Sequence, residues 1–313
     1  MDRTEILDNA ESLFGDAGFY LSQRCCARPS CFDFAARKET QVVFLKVNPN
    51  IGNSYEKDAD GLNTLARAFS GSPLLICERT RDKPLEDDTV YSRYNVGAIT
   101  LNTLRDTLLK GSGPLIEAGP GGYYVSLDWE AIRKKRWEKG LSMGKIAEIM
   151  GVSKRTLYGY ERGSAKASVE TAYKLEWVWG IPVVKPLDIF SYREGNEGLI
   201  ATARRIISGS RFLQFVVKKL IQFNFAVFHL KRAPFDFVAR NSEDEICLIG
   251  AVAHENERRF DVRTEEIISV SKILEAQPVF VTDSKRVCVE NVPLICREDL
   301  ERINCSEDLM AIL

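Results

Sequence analysis

The chain has 313 residues, of which 45% are hydrophobic and 28% charged, with a formal net charge of -1 at pH 7. This is the composition of a globular protein of two or three domains, and it excludes a disordered chain. No run approaches the eighteen apolar residues of a membrane span, and Met1-Asp2-Arg3-Thr4-Glu5 lacks the form of a signal peptide, so a cytoplasmic location is expected. A near-neutral total also excludes a protein that coats nucleic acid by bulk charge, yet residues 125–190 hold 12 Lys plus Arg against 8 Asp plus Glu, leaving that segment at +4 and the rest at -5.

The first region, 1–111, opens on a helix with Ile6, Leu7, Leu13 and Phe14 on one face. Phe32-Asp33-Phe34-Ala35-Ala36-Arg37 leads through a turn to a strand at Val42 to Val47, a helix ending near Phe69, strands at Pro73 to Cys77 and Asn95 to Ile99, and a helix carrying Leu104. Strands alternating with helices of this length predict an α/β domain, a sheet covered by helices. Eight cysteines, at 25, 26, 31, 77, 247, 288, 296 and 305, form no Cys-x-x-Cys pair, and most read as small buried hydrophobes. Cys25, Cys26 and Cys31 are close enough to be weighed as a metal or redox cluster, but their spacing matches no common site and the chain has only two histidines to complete one.

Residues 112–127 place Gly119-Pro120-Gly121-Gly122 between Leu115-Ile116-Glu117 and Tyr123-Tyr124-Val125, a hairpin that either forms a wing near DNA or docks on the neighbouring domain. Residues 128–190 read as an all-α unit of four helices. Asp128 caps the first, whose outward face is Arg133, Lys134, Lys135 and Arg136. Ser142 caps a short helix with Met143, Ile146, Ala147 and Met150 inward; it stops at Gly151, and Val152 drops between it and the next helix. Ser153 caps that helix, which anchors Leu157 and turns Lys154, Arg155, Thr156, Tyr158 and Gly159 outward. Two cations in a first helical turn oppose the helix dipole, which suits a helix whose N-terminal end enters a phosphate-rich groove. Ser168 caps the last helix, Val169 to Trp179, in which Ala172, Leu175, Trp177 and Val178 are apolar and Gly180 ends the pattern.

After an extended Pro182 to Pro186 and a polar linker at Ser191 to Gly198, the region 191–313 repeats the first. Phe235-Asp236-Phe237-Val238-Ala239-Arg240 answers Phe32 to Arg37, Ile246 to Ala251 answers Val42 to Val47, Pro278 answers Pro73, and Asn291 answers Asn95. Phe212, Phe215, Val216 and Leu220 face inward from its opening helix, and Leu300 sits on its last. The first copy is longer between its proline and asparagine, an excess assigned to Glu78 to Asp88.

The run Leu141-Ser142 through Glu161-Arg162-Gly163, followed by Ser168-Val169-Glu170-Thr171-Ala172, resembles the phage-repressor (Cro-like, XRE) helix-turn-helix family over about sixty residues. That resemblance implies double-stranded DNA as partner, with Lys154, Arg155 and Gly159 against base edges and Ser153 and Thr156 at or near the backbone. Met143 stands where many members have a glutamine that bonds a phosphate. Ser142, Tyr158, Arg133, Lys134, Lys145 and Arg162 complete the expected interface. The bland alternative is a helical hairpin used only for protein contacts.

The flanks, with their order of helix, strand ending in Asp, hairpin, strand ending in Lys and helix, are similar to the restriction-endonuclease (PD-(D/E)xK) fold. That fold sets an aspartate and an acid two residues before a lysine around Mg²⁺, which activates water. Here Asp33 and Lys46 are present, with Glu11 as an extra candidate, but Phe44 occupies the acid position; Glu56 or Asp60 on the following helix are candidates to restore it. In the second copy Gly250 is aligned with the lysine and Leu248 with the acid, so that copy is expected to be inert. The structural alternative pairs Asp33 with Arg37 and Asp236 with Arg240. No phosphate loop, Ser/His/Asp set or His-x-x-x-His spacing is present, so no cofactor is expected.

The whole layout resembles a family of archaeal helix-turn-helix transcriptional regulators of about this length. The expected fold is multidomain: a degenerate restriction-endonuclease-like α/β repeat flanking the helix-turn-helix domain. The expected function is non-enzymatic, sequence-specific DNA binding as a homodimer assembled through the flanks, which also stand as the place for an effector or a protein partner. A Mg²⁺-dependent nuclease or a non-DNA scaffold are the alternatives.

Overall fold

Asp2 accepts a bond from the Glu5 N–H and starts α1 (Arg3–Asp16), whose Ile6, Leu7, Ala10, Leu13 and Phe14 are all buried. The computed structural model describes residues 1–162, 165–191, 210–241, 246–255, 257–284, 287, 289, 291–303, 308–309 and 312. Beyond α1 the chain runs through β1 (Tyr20–Leu21), β2 (Phe34–Lys38), β3 (Gln41–Val47), α2 (Glu56–Phe69), β4 (Ser72–Ile76), β5 (Thr89–Arg93), β6 (Val96–Ile99) and α3 (Leu101–Lys110). β1, β2 and β3 pair antiparallel, and β3, β4 and β6 parallel.

The two-residue period of a strand decides which core each side chain joins. Phe34, Ala36, Val43, Leu45 and Val47 face α1 and α3, whereas Ala35, Val42 and Phe44 face α2.

Two further strands, β7 (Ile116–Gly119) and β8 (Gly122–Leu127), form the glycine hairpin. Thr89 to Val90 of β5 pairs parallel with Ile116 to Glu117 of β7, so the hairpin extends the first sheet instead of standing free as a wing. Next come α4 (Trp129–Glu138), α5 (Met143–Met150), α6 (Lys154–Glu161), β9 (Ala167–Ser168), α7 (Val169–Trp179) and β10 (Val184–Lys185). Both β9 and β10 pair antiparallel with β8, which puts the strand leaving the helical unit beside the strand entering it.

The second copy comprises α8 (Arg211–Gln222), β11 (Ala226–His229), β12 (Phe237–Asn241), β13 (Ile246–Val252), α9 (Phe260–Leu274), β14 (Gln277–Thr282), β15 (Leu294–Cys296) and α10 (Arg297–Arg302). Its sheet order, β11-β12-β13-β14-β15, repeats β1-β2-β3-β4-β6 of the first, and β5 has no counterpart among the described residues. Most of the linker expected at Ser191 to Gly198 lies outside the described residues, as do Cys288 and Cys305.

Register corrects the alignment of the copies. Phe34 pairs with Leu45 and Phe237 with Gly250, so Lys46 corresponds to Ala251 and Phe44 to Ile249, not to Gly250 and Leu248. The β12 to β13 connection is longer than the two-residue Glu39-Thr40 turn, which displaces every later position. The aspartates also precede β2 and β12 instead of ending a strand.

The two copies pack on one another within the chain. A single core joins Phe32, Phe44, Leu62 and Leu65 of the first to Phe235, Val238, Ile267, Val270 and Phe280 of the second, with α9 against β2 and α2 against β11. Each fully buried aromatic contributes about 1.5 to 3 kcal/mol over an exposed one. Polar bonds cross in both directions: the Arg37 guanidinium donates to Glu275 at 2.6 Å, and that of Arg240 to the Ala68 carbonyl at 2.6 Å. These arginines therefore do not pair with Asp33 and Asp236 as the structural alternative expected. The apolar faces of the two copies thus meet within one chain.

Candidate nucleic-acid interface

The helical unit is built from its caps outward. The Ser142 hydroxyl accepts from the Lys145 N–H at 3.2 Å to start α5, and that of Ser153 accepts from the Thr156 N–H at 3.1 Å to start α6. Gly151 ends α5 at φ 67°, a left-handed conformation that a side chain would strain. The Val152 N–H then returns to the Ala147 carbonyl at 3.0 Å and fixes the turn. Ile146, Met150, Leu157, Tyr160, Ala172 and Leu175 form the core beneath, and the Trp129 and Tyr160 rings stack at 6.4 Å between centroids.

With that core inside, Ser153, Lys154, Arg155, Tyr158 and Arg162 are exposed along α6 and its end, and Thr156 and Gly159 are half-buried. Among the described residues no carboxylate pairs with Lys154 or Arg155. The Lys154 stem lies over Gly144, where an added Cβ would stand 3.3 Å from its Cε. Ser142, Arg133, Lys134 and Lys145 are exposed on the flanking helices, and Lys145 is paired with Glu148 at 2.9 Å. Met143 is half-buried against the core, and its thioether replaces a polar donor at the start of α5. Ser153→Ala removes the α6 cap and should lower stability by about 0.5 to 2 kcal/mol in a urea titration; an unchanged midpoint would show that the cap does not hold the helix.

The unit is mounted on the first copy's sheet. Tyr124 and Val125 pair with Ser168 and Ala167, Lys166 forms an ion pair with Glu117, and the Asp128 N–H donates to the Val183 carbonyl at 2.7 Å.

The nuclease-like position of the first copy holds a different kind of group. Asp33 is 4% exposed, and its carboxylate accepts from Arg3 at 2.7 Å, from Lys46 at 2.9 Å and from the Val47 N–H at 2.8 Å. Glu11, the extra candidate, is bound instead by Arg24 at 2.6 and 2.7 Å. Of the acids on α2 it is Asp58, not Glu56 or Asp60, that is buried; burial raises its pKa, and Arg232 of the second copy, at 2.5 Å, and Lys46 oppose the rise. The stripe Asp58, Leu62, Leu65 and Phe69 would have singled it out, because those positions share one helical face.

In the second copy Asp236 accepts from Arg263 at 2.8 Å, from Arg28 of the first copy at 3.1 Å and from the Val252 N–H at 2.7 Å. Burial pushes the Cys31 thiol up to about 12 and raises Cys25 well above its usual value. Among the described residues no three His, Cys, Asp or Glu side chains converge on a metal position, and no helix is long and apolar enough to cross a membrane.

Residues 3–114 match the PD-(D/E)XK superfamily domain, and residues 132–178 match the helix-turn-helix family. Over its whole length the chain is 32% identical to a protein of Pyrococcus horikoshii, covering 98% of it, and 32% identical to one of Methanocella arvoryzae, covering 96%. It is 30% identical, again over its whole length, to a protein of Methanosarcina acetivorans, covering 97% of that relative. All three relatives are provisionally named HTH-type transcriptional regulatory proteins. No solved structure matches the chain.

Proposed function

This chain belongs to the archaeal family of HTH-type transcriptional regulatory proteins, and we propose that it is a sequence-specific DNA-binding regulator acting in the cytoplasm. In this reading the N-terminal turn of α6 enters a major groove, with Lys154 and Arg155 at base edges and Gly159 allowing close approach. Ser153 and Thr156 lie near the backbone beside Ser142, Met143 and Tyr158, while Arg133, Lys134, Lys145 and Arg162 neutralise phosphates. The observation that carries it is the pair of exposed cations, Lys154 and Arg155, in the first turn of α6, without carboxylate partners among the described residues. They weaken an isolated helix through its dipole and strengthen one facing phosphates.

The units assigned are 1–111, 112–127, 128–190 and 191–313. One helix-turn-helix covers a half-site, so a homodimer on a near-palindromic operator is assigned. Exposed Val169, Tyr173 and Trp177, one helical turn apart along α7, supply an apolar stripe outside the core between the copies that suits a second chain. The reading is non-enzymatic: at Asp33 the guanidinium of Arg3 and the ammonium of Lys46 both bond Oδ1, so the carboxylate's charge is balanced by side chains without a Mg²⁺ ion.

Fluorescence anisotropy on the chain's own upstream duplex, against a scrambled duplex, tests it. Arg155→Ala should lose about 1 to 3 kcal/mol of discrimination between the two. Removing Arg133 or Lys134 should weaken both duplexes alike and lower the log-log salt slope by about 0.9 each. Equal affinity of the parent protein for both duplexes, or an unchanged preference in Arg155→Ala, would refute base reading by α6.

A further inference from the structure

A cavity of about 500 Å³ opens between the copies, lined by Lys57, Asp60, Gly61 and Thr64 of α2 and by His229, Leu230, Lys231 and Arg232 after β11. The internal repeat shows what the opposite side of the same interface does with this space. Cys25 donates its N–H to the Asp33 carbonyl at 2.8 Å, and Leu230 donates to the Asp236 carbonyl at 2.9 Å, so the two loops correspond there. Cys26 and Ala27 then correspond to Lys231 and Arg232. Counting back from Pro73 and Pro278, Gly61 of α2 corresponds to Glu266 of α9.

On the filled side, the Glu266 carboxylate crosses from α9 and accepts the N–H groups of Cys26 at 2.6 Å and Ala27 at 2.7 Å. On the open side Gly61 offers no side chain, and among the described residues the N–H groups of Lys231 and Arg232 have no partner. Nor can the chain supply one from position 61, because an added Cβ would lie 2.7 Å from Cys31 Sγ. The lining adds the ammonium groups of Lys57 and Lys231, the Thr64 hydroxyl, and a His229 Nδ1 that is buried without a hydrogen-bond partner among the described residues. The Arg232 guanidinium is held by Asp58, and Asp60 is the carboxylate in the wall.

We propose that this cavity binds a small organic acid, whose carboxylate takes the place on the Lys231 and Arg232 N–H groups that Glu266 takes on those of Cys26 and Ala27. Two adjacent N–H groups can converge on one carboxylate oxygen, as those of Cys26 and Ala27 do on Glu266 Oε1, and the flanking lysines compensate the charge. The volume is that of a metabolite-sized site, placed where two packed copies meet. The assignment does not depend on DNA binding and is tested without it.

The test is isothermal titration of the full chain with glutarate as the probe, glutaramide as its neutral counterpart and inorganic phosphate as a competing anion. Glutarate should bind saturably, and glutaramide about tenfold or more weaker, as expected when charge-assisted hydrogen bonds become neutral ones. The double charge reversal Lys57→Glu/Lys231→Glu, at exposed positions, should weaken glutarate by about tenfold or more with an unchanged circular dichroism spectrum. Absent glutarate binding, equal binding of the diamide, phosphate binding tighter than glutarate, or undiminished binding in the folded variant would each overturn it. The comparison of acid and amide on the parent protein stands whether or not the variant folds.

Discussion

Arg263→Met should destabilise the paired α/β body by about 3 to 5 kcal/mol, the range for removing one partner from a buried charge network. Arg263 is 1% exposed and its guanidinium donates to two carboxylates, Asp236 at 2.8 Å and Glu257 at 2.9 and 3.0 Å. It also donates to the carbonyls of Pro234 at 2.5 Å and Val252 at 3.0 Å. Methionine keeps most of the volume, so the change isolates charge from packing. It leaves Arg28 alone to balance Asp236 and Glu257, and both carbonyls lose a buried donor. Urea titration followed by far-ultraviolet circular dichroism measures the loss. All four tryptophans, Trp129, Trp137, Trp177 and Trp179, lie in the helix-turn-helix, so their fluorescence reports whether that unit follows the body down or outlasts it. A loss below about 1 kcal/mol would mean that the network relaxes around the vacancy.

Asp33→Asn should cost a similar amount, about 3 to 5 kcal/mol, and this outcome separates two roles for the same residue. A carboxylate waiting for a metal ion in a cluster of acids suffers repulsion in the free protein, and neutralising it stabilises the fold. Here the groups bonded to Asp33 are the cations Arg3 and Lys46, and the amide removes the counter-charge that both of them bond. The variant should therefore melt earlier, and Mg²⁺ should shift neither protein's midpoint. A stabilised variant, or a parent whose midpoint rises with Mg²⁺ while that of the variant does not, would reinstate the metal-site reading.

Those two carboxylates also show where sequence reasoning reached and where it stopped. The Phe-Asp-Phe motifs and the strands that follow them are local, and from them both copies, their succession of helices and strands apart from β5, and the degenerate nuclease-like fold were legible. The helix-turn-helix was legible for the same reason: Ser142, Gly151 and Ser153 act within four residues of themselves. Asp33 was singled out but given the wrong partner, because Arg37 lies on the same strand face and Arg3, thirty positions away, makes the bond. The register slip at Lys46 came from a turn whose two copies differ in length. Packing of the copies on each other was not legible at all. Phe32, Phe44, Phe235 and Phe280 read equally well as the cores of two separate domains, and only their meeting in one cluster shows otherwise. The residues that cross the interface, Arg28, Asp58, Arg232 and Glu266, carry no motif, since what each does depends on an element about two hundred positions away.

Leu127 and Ser126 of β8 pair with Val184 and Lys185 of β10, so the chain enters and leaves the helical unit through neighbouring rungs of one ladder. To the paired body, everything between those rungs is topologically the loop of a β-hairpin. A short turn in its place would close the same ladder, which is the geometry of a module inserted at a single point. The DNA-reading unit is thus held at both ends by a body that could complete its sheet without it, and that body sets the angle at which α6 is presented.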